Sequence, residues 1–114
     1  WTIYPRFSEL RNDHGAVVEY RRFDIGETLE INGLKIKSVK VNHKVPSVGF
    51  IISDDHSTIA LSSDTAKMNE FWLEVNALPK LDALMVECAF PDELTELAYS
   101  SHHLTPKILR SEIE

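Results

Sequence analysis

Residues 34–41 (LKIKSVKV) alternate apolar and polar side chains, a period of two that predicts a strand with one buried and one wet face. Thr28–Ile31 reads as a shorter strand before it, and Asn32-Gly33 between the two is a strong hairpin signal. Residues 17–23 (VVEYRRF) have strand-type composition, and Gly26 separates them from the hairpin. Residues 1–15 mix aromatics with charges and close on Asn-Asp-His-Gly, a turn that makes His14 a solvated loop residue. Residues 48–53 and 58–62 predict two more strands, joined by the polar turn Asp54-Asp55-His56-Ser57 with His56 exposed and idle.

The period then changes. Met68, Phe71, Trp72 and Val75 recur at helical spacing over residues 66–78, and Pro79 stops the run. Residues 81–86 are an apolar run broken only by Asp82, as expected of a strand covered on both faces. Pro91 opens a second helix with Leu94, Leu97 and Ala98 on its apolar face. Thr105-Pro106 opens a third, with Thr as N-cap and Pro at the first helical position. Antiparallel strands leading into an α/β alternation imply an α/β chain, its sheet covered by helices on one face and open on the other. Lys35, Lys37 and Lys40 then read as the solvated face of an edge strand rather than an anion-binding patch.

Composition narrows the classes. The 114 residues make one domain at most, short for a complete α/β enzyme. A formal charge of −6 argues against a non-specific nucleic-acid surface. It leaves a phosphate-bearing substrate open, because a bound metal supplies positive charge locally. No apolar run approaches membrane-spanning length, and no charged-then-apolar leader is visible. Cys88 is the sole cysteine, which rules out an internal disulfide and leans towards the cytoplasm. The chain starts at Trp1 and stops at Ile-Glu within a helical pattern, so the expectation is a single incomplete domain, 1–114, cut from a longer protein.

The candidate chemistry lies where strands end. His43 follows the alternating strand, and Asp64 follows the strand of residues 58–62. Imidazole and carboxylate together suit a divalent metal. Taken singly, each has a plainer role: a loop histidine, and an N-cap for the helix beyond. A second group, Glu87 with His102 and His103, lies downstream.

Residues 42–65 resemble the second half of a metallo-β-lactamase-superfamily phosphodiesterase: a His before Val-Pro-Ser-x-Gly-aromatic, a short hairpin, then a strand ending in Ser-Asp-Thr. Val86-Glu87-Cys88-Ala89-Phe90 is similar to the Glu-Ala-Thr-Phe segment of tRNA 3′-processing endonucleases, and His103-Leu104-Thr105 to their His-Ser-Thr. The run from Glu87 to Pro106 looks closer still to class II cyclic-nucleotide phosphodiesterases, and the opening WTIYP fits that group more loosely. The resemblance implies part of an αββα sandwich, mostly its second sheet with outer helices. It implies His43 as a metal ligand, Asp64 as a bridge between two metals, and His103 acting on the phosphate or leaving oxygen with Glu87 orienting it. His103 is preferred to His102 because it directly precedes Leu-Thr-Pro, and Thr65 would support Asp64 by a hydrogen bond. The implied cofactor is two divalent ions, zinc first, with manganese or iron as alternatives. The substrate would be a small phosphodiester such as a cyclic nucleotide; cleavage of RNA 3′ ends and a non-catalytic binding role are the competing readings. Two departures stand out. Ser63 replaces the glycine common before the aspartate, and the family's His-x-His-x-Asp-His motif is absent. That motif belongs upstream of Trp1, and a further ligating histidine beyond Glu114. The exposed apolar sheet face should then associate with the missing half or with itself.

Overall fold

The computed structural model describes residues 6–114, so the likeness of the opening WTIYP lies outside the described residues. Asn32 and Gly33 both take positive φ, 51° and 81°, the pair of conformations a type I′ hairpin turn requires. They join β3 (Thr28–Ile31) to β4 (Leu34–Lys40), with Ile31 opposite Leu34. Ahead of this hairpin, β1 (Arg11–Asn12) and β2 (Gly15–Ala16) form a small separate ribbon around His14, which is exposed.

The strand expected over 17–23 does not form. Its charges pair with near neighbours instead, Arg21 with Glu19 at 3.0 Å and Arg22 with Asp24 at 3.3 Å, and Tyr20 stays exposed. β-propensity is realised only where a partner strand and a buried face exist. Phe23 turns inward, stacking on Phe50 with ring centres 6.3 Å apart.

The main sheet runs β3-β4-β5-β6-β7, with β5 (Val48–Ser53), β6 (Thr58–Leu61) and β7 (Ala83–Met85) completing it. The first four strands are antiparallel, whereas β7 joins β6 in parallel after the crossover helix α1 (Asn69–Asn76). β4 is therefore interior, which corrects the edge-strand reading of its lysines. Lys37 and Lys40 instead latch α1 to the sheet, each 2.6 Å from a glutamate, Glu74 and Glu70 respectively. β7 is an edge strand, shorter than expected, with Leu84 and Met85 exposed rather than covered on both faces. Among the described residues β6 is its one sheet neighbour, so the apolar run here lies on an edge strand.

The two faces differ. Val39, Val41, Ile51 and Ala60 meet Met68, Phe71 and Val75 in a buried core under α1. The register places Ile36, Ile52 and Ile59 side by side on the other face, next to Phe50, Leu61 and Met85. There the side chains are half-buried at best, and Ile31, Leu34 and Met85 are 42%, 40% and 50% exposed.

A 3-10 turn (Asp92–Leu94) leads into α2 (Thr95–Ser101), and α3 (Pro106–Ile113) closes the chain. Thr105 caps α3 as expected, its hydroxyl oxygen accepting the Ile108 amide at 3.4 Å. Of the apolar face expected on α2, Ala98 is buried while Leu94 and Leu97 are exposed. α1 lacks a cap of its own. Glu112 of α3 supplies one, accepting the Met68 amide and the Trp72 indole N–H, both at 3.0 Å. No described helix is long and apolar enough to cross a membrane.

Candidate metal centre

β4 is antiparallel to β5, and β5 to β6, so β4 and β6 run the same way; β7, parallel to β6, runs with them. Three strand ends thereby meet on one rim of the sheet. His43 follows β4, Asp64 follows β6 and Glu87 follows β7, each within a few residues of its strand. His103 comes from outside the sheet, in the loop between α2 and α3.

His43, Asp64 and His103 each offer a ligand atom within 4.8 Å of the others. The two imidazoles meet edge to face with centres 4.9 Å apart, and Phe90 covers His103 at 5.5 Å. Asp64 is exposed and both histidines are half-buried, so the cluster opens to solvent on the carboxylate side.

Hydrogen bonds fix which nitrogen each ring presents. His43 Nδ1 lies 3.0 Å from the carbonyl oxygen of His102, an atom that only accepts. Nδ1 must carry the proton, which leaves the Nε2 lone pair free. His103 Nδ1 lies 3.0 Å from Glu87 Oε1 and follows the same rule. Histidines that hold a metal commonly donate their other N–H to a carbonyl or carboxylate in this way. Imidazole with carboxylate fits a divalent ion of the zinc, manganese or iron type, and the second imidazole stands close enough either to join them or to act beside them.

Glu87 does more than hold one ring. Its Oε1 also accepts the amides of Leu104 at 3.1 Å and Thr65 at 3.2 Å, while Oε2 is buried without a partner among the described residues. The Glu87 amide in turn donates to Ser62 Oγ at 3.0 Å, tying the β7 exit to the β6 exit.

One expectation changes, and one residue gains a role. The Thr65 hydroxyl reaches Asn42 and Ala66 rather than supporting Asp64. His102 contributes its backbone carbonyl, while its ring sits 3.3 Å from the Asn42 amide oxygen. Neither role is visible in a linear motif, because both use main-chain atoms. His14 and His56 lie elsewhere, on exposed turns. At Cys88, desolvation first, then the charges of Glu87 and Asp92, push the thiol above its ordinary value and so disfavour the thiolate. A cleft of about 210 Å³, lined by Asn42, Lys67, Tyr99, His102 and His103 among others, opens beside the cluster.

A family model described as the beta-lactamase superfamily domain matches residues 2–111. Human tRNase Z, short form, is similar in structure, with a TM-score of 0.60 and 20% identity over 74% of this chain and 32% of that one. The metallo-beta-lactamase fold protein YhfI from Bacillus subtilis also has a TM-score of 0.60 at 20% identity, over 73% of this chain and 32% of its own. No curated protein matches. The chain thus spans about a third of the length of the solved structures it resembles.

Proposed function

The chain belongs to the beta-lactamase superfamily, and from that premise we propose that it is the C-terminal part of a metal-dependent phosphodiester hydrolase. The carrying observation is the convergence of His43, Asp64 and His103, with both ring Nδ1 protons already committed to the acceptors behind them. A bound divalent metal supplies Lewis-acid charge that polarises a phosphoryl oxygen and acidifies water. His43 Nε2 and the Asp64 carboxylate would hold metal, the carboxylate shared between two ions, with zinc the first expectation. His103, its Nδ1–H anchored on Glu87, would meet the substrate phosphate or give a proton to the leaving oxygen. Glu87 would keep that ring in one tautomer and orientation. A small phosphodiester, a cyclic nucleotide first, would occupy the cleft beside His103, where Lys67 and Tyr99 offer a cation and an aromatic face.

The remaining ligands would come from the other half of an αββα sandwich, carried by a longer protein. The apolar sheet face built on Ile36, Phe50, Ile52 and Leu61 supports this, since that face would be the natural seat of the missing half or of a second copy. Cleavage of RNA 3′ ends is the second reading, favoured by the likeness to tRNase Z. The charge of −6 weighs against it.

The test is elemental analysis and phosphodiester hydrolysis on the protein that carries this chain. About two metals per chain, lost with activity in Asp64→Ala and retained in His56→Ala, is the expected result. Equal loss in both variants overturns the assignment of roles, and an intact protein without metal favours a binding role.

A further inference from the structure

Thr65 is fully buried, although the residue before it is exposed. A buried hydroxyl must find partners, and one of those it finds lies on the His43 segment. Its Oγ1 accepts the Asn42 amide at 3.1 Å and donates to the Ala66 carbonyl at 2.9 Å. The Ala66 amide returns a bond to the Asn42 carbonyl at 2.7 Å. The Thr65 amide donates to Glu87 Oε1 at 3.2 Å, the same oxygen that takes His103 Nδ1–H. Asn42 directly precedes His43, and Asp64 directly precedes Thr65.

We propose that Thr65 is the positioning residue of this centre, setting the spacing of His43, Asp64 and His103 by holding their three chain segments together. It touches none of the reacting atoms. Its side chain fixes the distance from the Asp64 turn to the His43 strand end, and its amide fixes the distance to the acceptor behind His103. Burial alone does not call for threonine here, because valine fills nearly the same volume; the hydroxyl is what two of these bonds require. This rests on the metal-hydrolase reading above.

Two measurements on the protein carrying this chain test it: cobalt(II) titration followed by visible absorption, and amide hydrogen exchange without metal. Thr65→Val and Thr65→Ala remove the hydroxyl, and the alanine avoids pressing a methyl on the Asn42 amide if valine prevents folding. Both should weaken cobalt binding by about 10- to 100-fold, in the range for residues that orient ligands, and alter the absorption bands. Thr65→Ser should recover wild-type binding to within a few-fold. In the metal-free variants lacking the hydroxyl, the Asn42 amide should exchange faster while the sheet amides keep their protection. Unchanged affinity and spectrum in both variants overturn the proposal, as does a serine variant no better than alanine. If the wild type takes no cobalt, the metal reading falls and exchange decides alone. Faster Asn42 exchange then upholds the tie, and unchanged exchange overturns it.

Discussion

The Nδ1–H of His43 donates to the backbone carbonyl of His102, 3.0 Å away and fifty-nine positions along the chain. That carbonyl is aimed by an unusual backbone: His102 ends α2 at φ 60° and ψ 59°, the left-handed region that residues with a Cβ rarely enter. The tautomer of a candidate ligand is thus set by a helix terminus. His102→Gly keeps both the carbonyl and the conformation, and should retain metal affinity. His102→Pro cannot reach positive φ and should lower that affinity about tenfold or more, read by competition with a chromophoric chelator. Equal affinity in the two variants would remove any role for the carbonyl.

Gly49 sits in β5 directly beneath α1, and its glycine identity follows from space rather than from φ. A Cβ there would lie 2.8 Å from the Leu61 carbonyl oxygen and 3.0 Å from two ring carbons of Phe71. The backbone oxygen cannot step aside without breaking the sheet. Gly49→Ala should destabilise by roughly 1–3 kcal/mol, the usual range for overpacking, measured as a lower urea midpoint with unchanged slope.

Ser63 stands at φ 54°, immediately before Asp64. Glycine, common at this position in the family that the segment resembles, enters that region without a Cβ penalty. Ser63→Gly should therefore stabilise the fold by about 0.5–1 kcal/mol, after subtracting the greater freedom glycine gives the unfolded chain. The melting temperature should rise by a few degrees, and metal affinity should hold. A fall in melting temperature would mean that the Ser63 side chain contributes more than its backbone costs.

Four surface carboxyls are held below their ordinary pKa values, which sets the sign of the pH dependence. The amides of His56 and Ser57 hold Asp54, Lys80 and the Thr58 amide hold Asp82, the Lys107 amide holds Asp92, and Lys40 holds Glu70. A carboxyl depressed in the folded state stabilises fully above its unfolded value, about 4, and loses that contribution as pH falls through the folded value. The urea midpoint should therefore decline on going from about pH 6 to about pH 3, less steeply in Asp54→Asn. All four are exposed, so the effect is modest and shrinks with added salt. A midpoint that rises on acidification would contradict the assignment.

What the sequence revealed and what it hid divide along side chain and main chain. Asn32-Gly33, Thr105-Pro106 and the helical spacing of Met68, Phe71 and Val75 carry their geometry in residue identity, and each element formed where expected. His43, Asp64, Glu87 and His103 could be singled out because residue type and motif alone point to them, and the fold brings all four to one rim. Residues 17–23 misled because strand composition says nothing about whether a partner strand is present. The lysines of β4 misled because their partners, Glu70 and Glu74, lie on a helix some thirty-odd residues away. The His102 carbonyl and the Thr65 amide leave no trace in composition at all.

The rim that gathers these residues also dictates when they can meet during folding. The hairpins from β3 to β6 close short loops and can zip early, whereas β7 must wait for the α1 crossover, and His103 for two further turns of chain. The contact between His43 and the α2 terminus spans more than half of the chain's length, so it is among the slowest to form. A nascent or partly unfolded chain would hold its two imidazoles apart, so His43 and Asp64 would meet first and His103 would join them last. The arrival of His103 beside them would then report completed folding of this sheet and its helices.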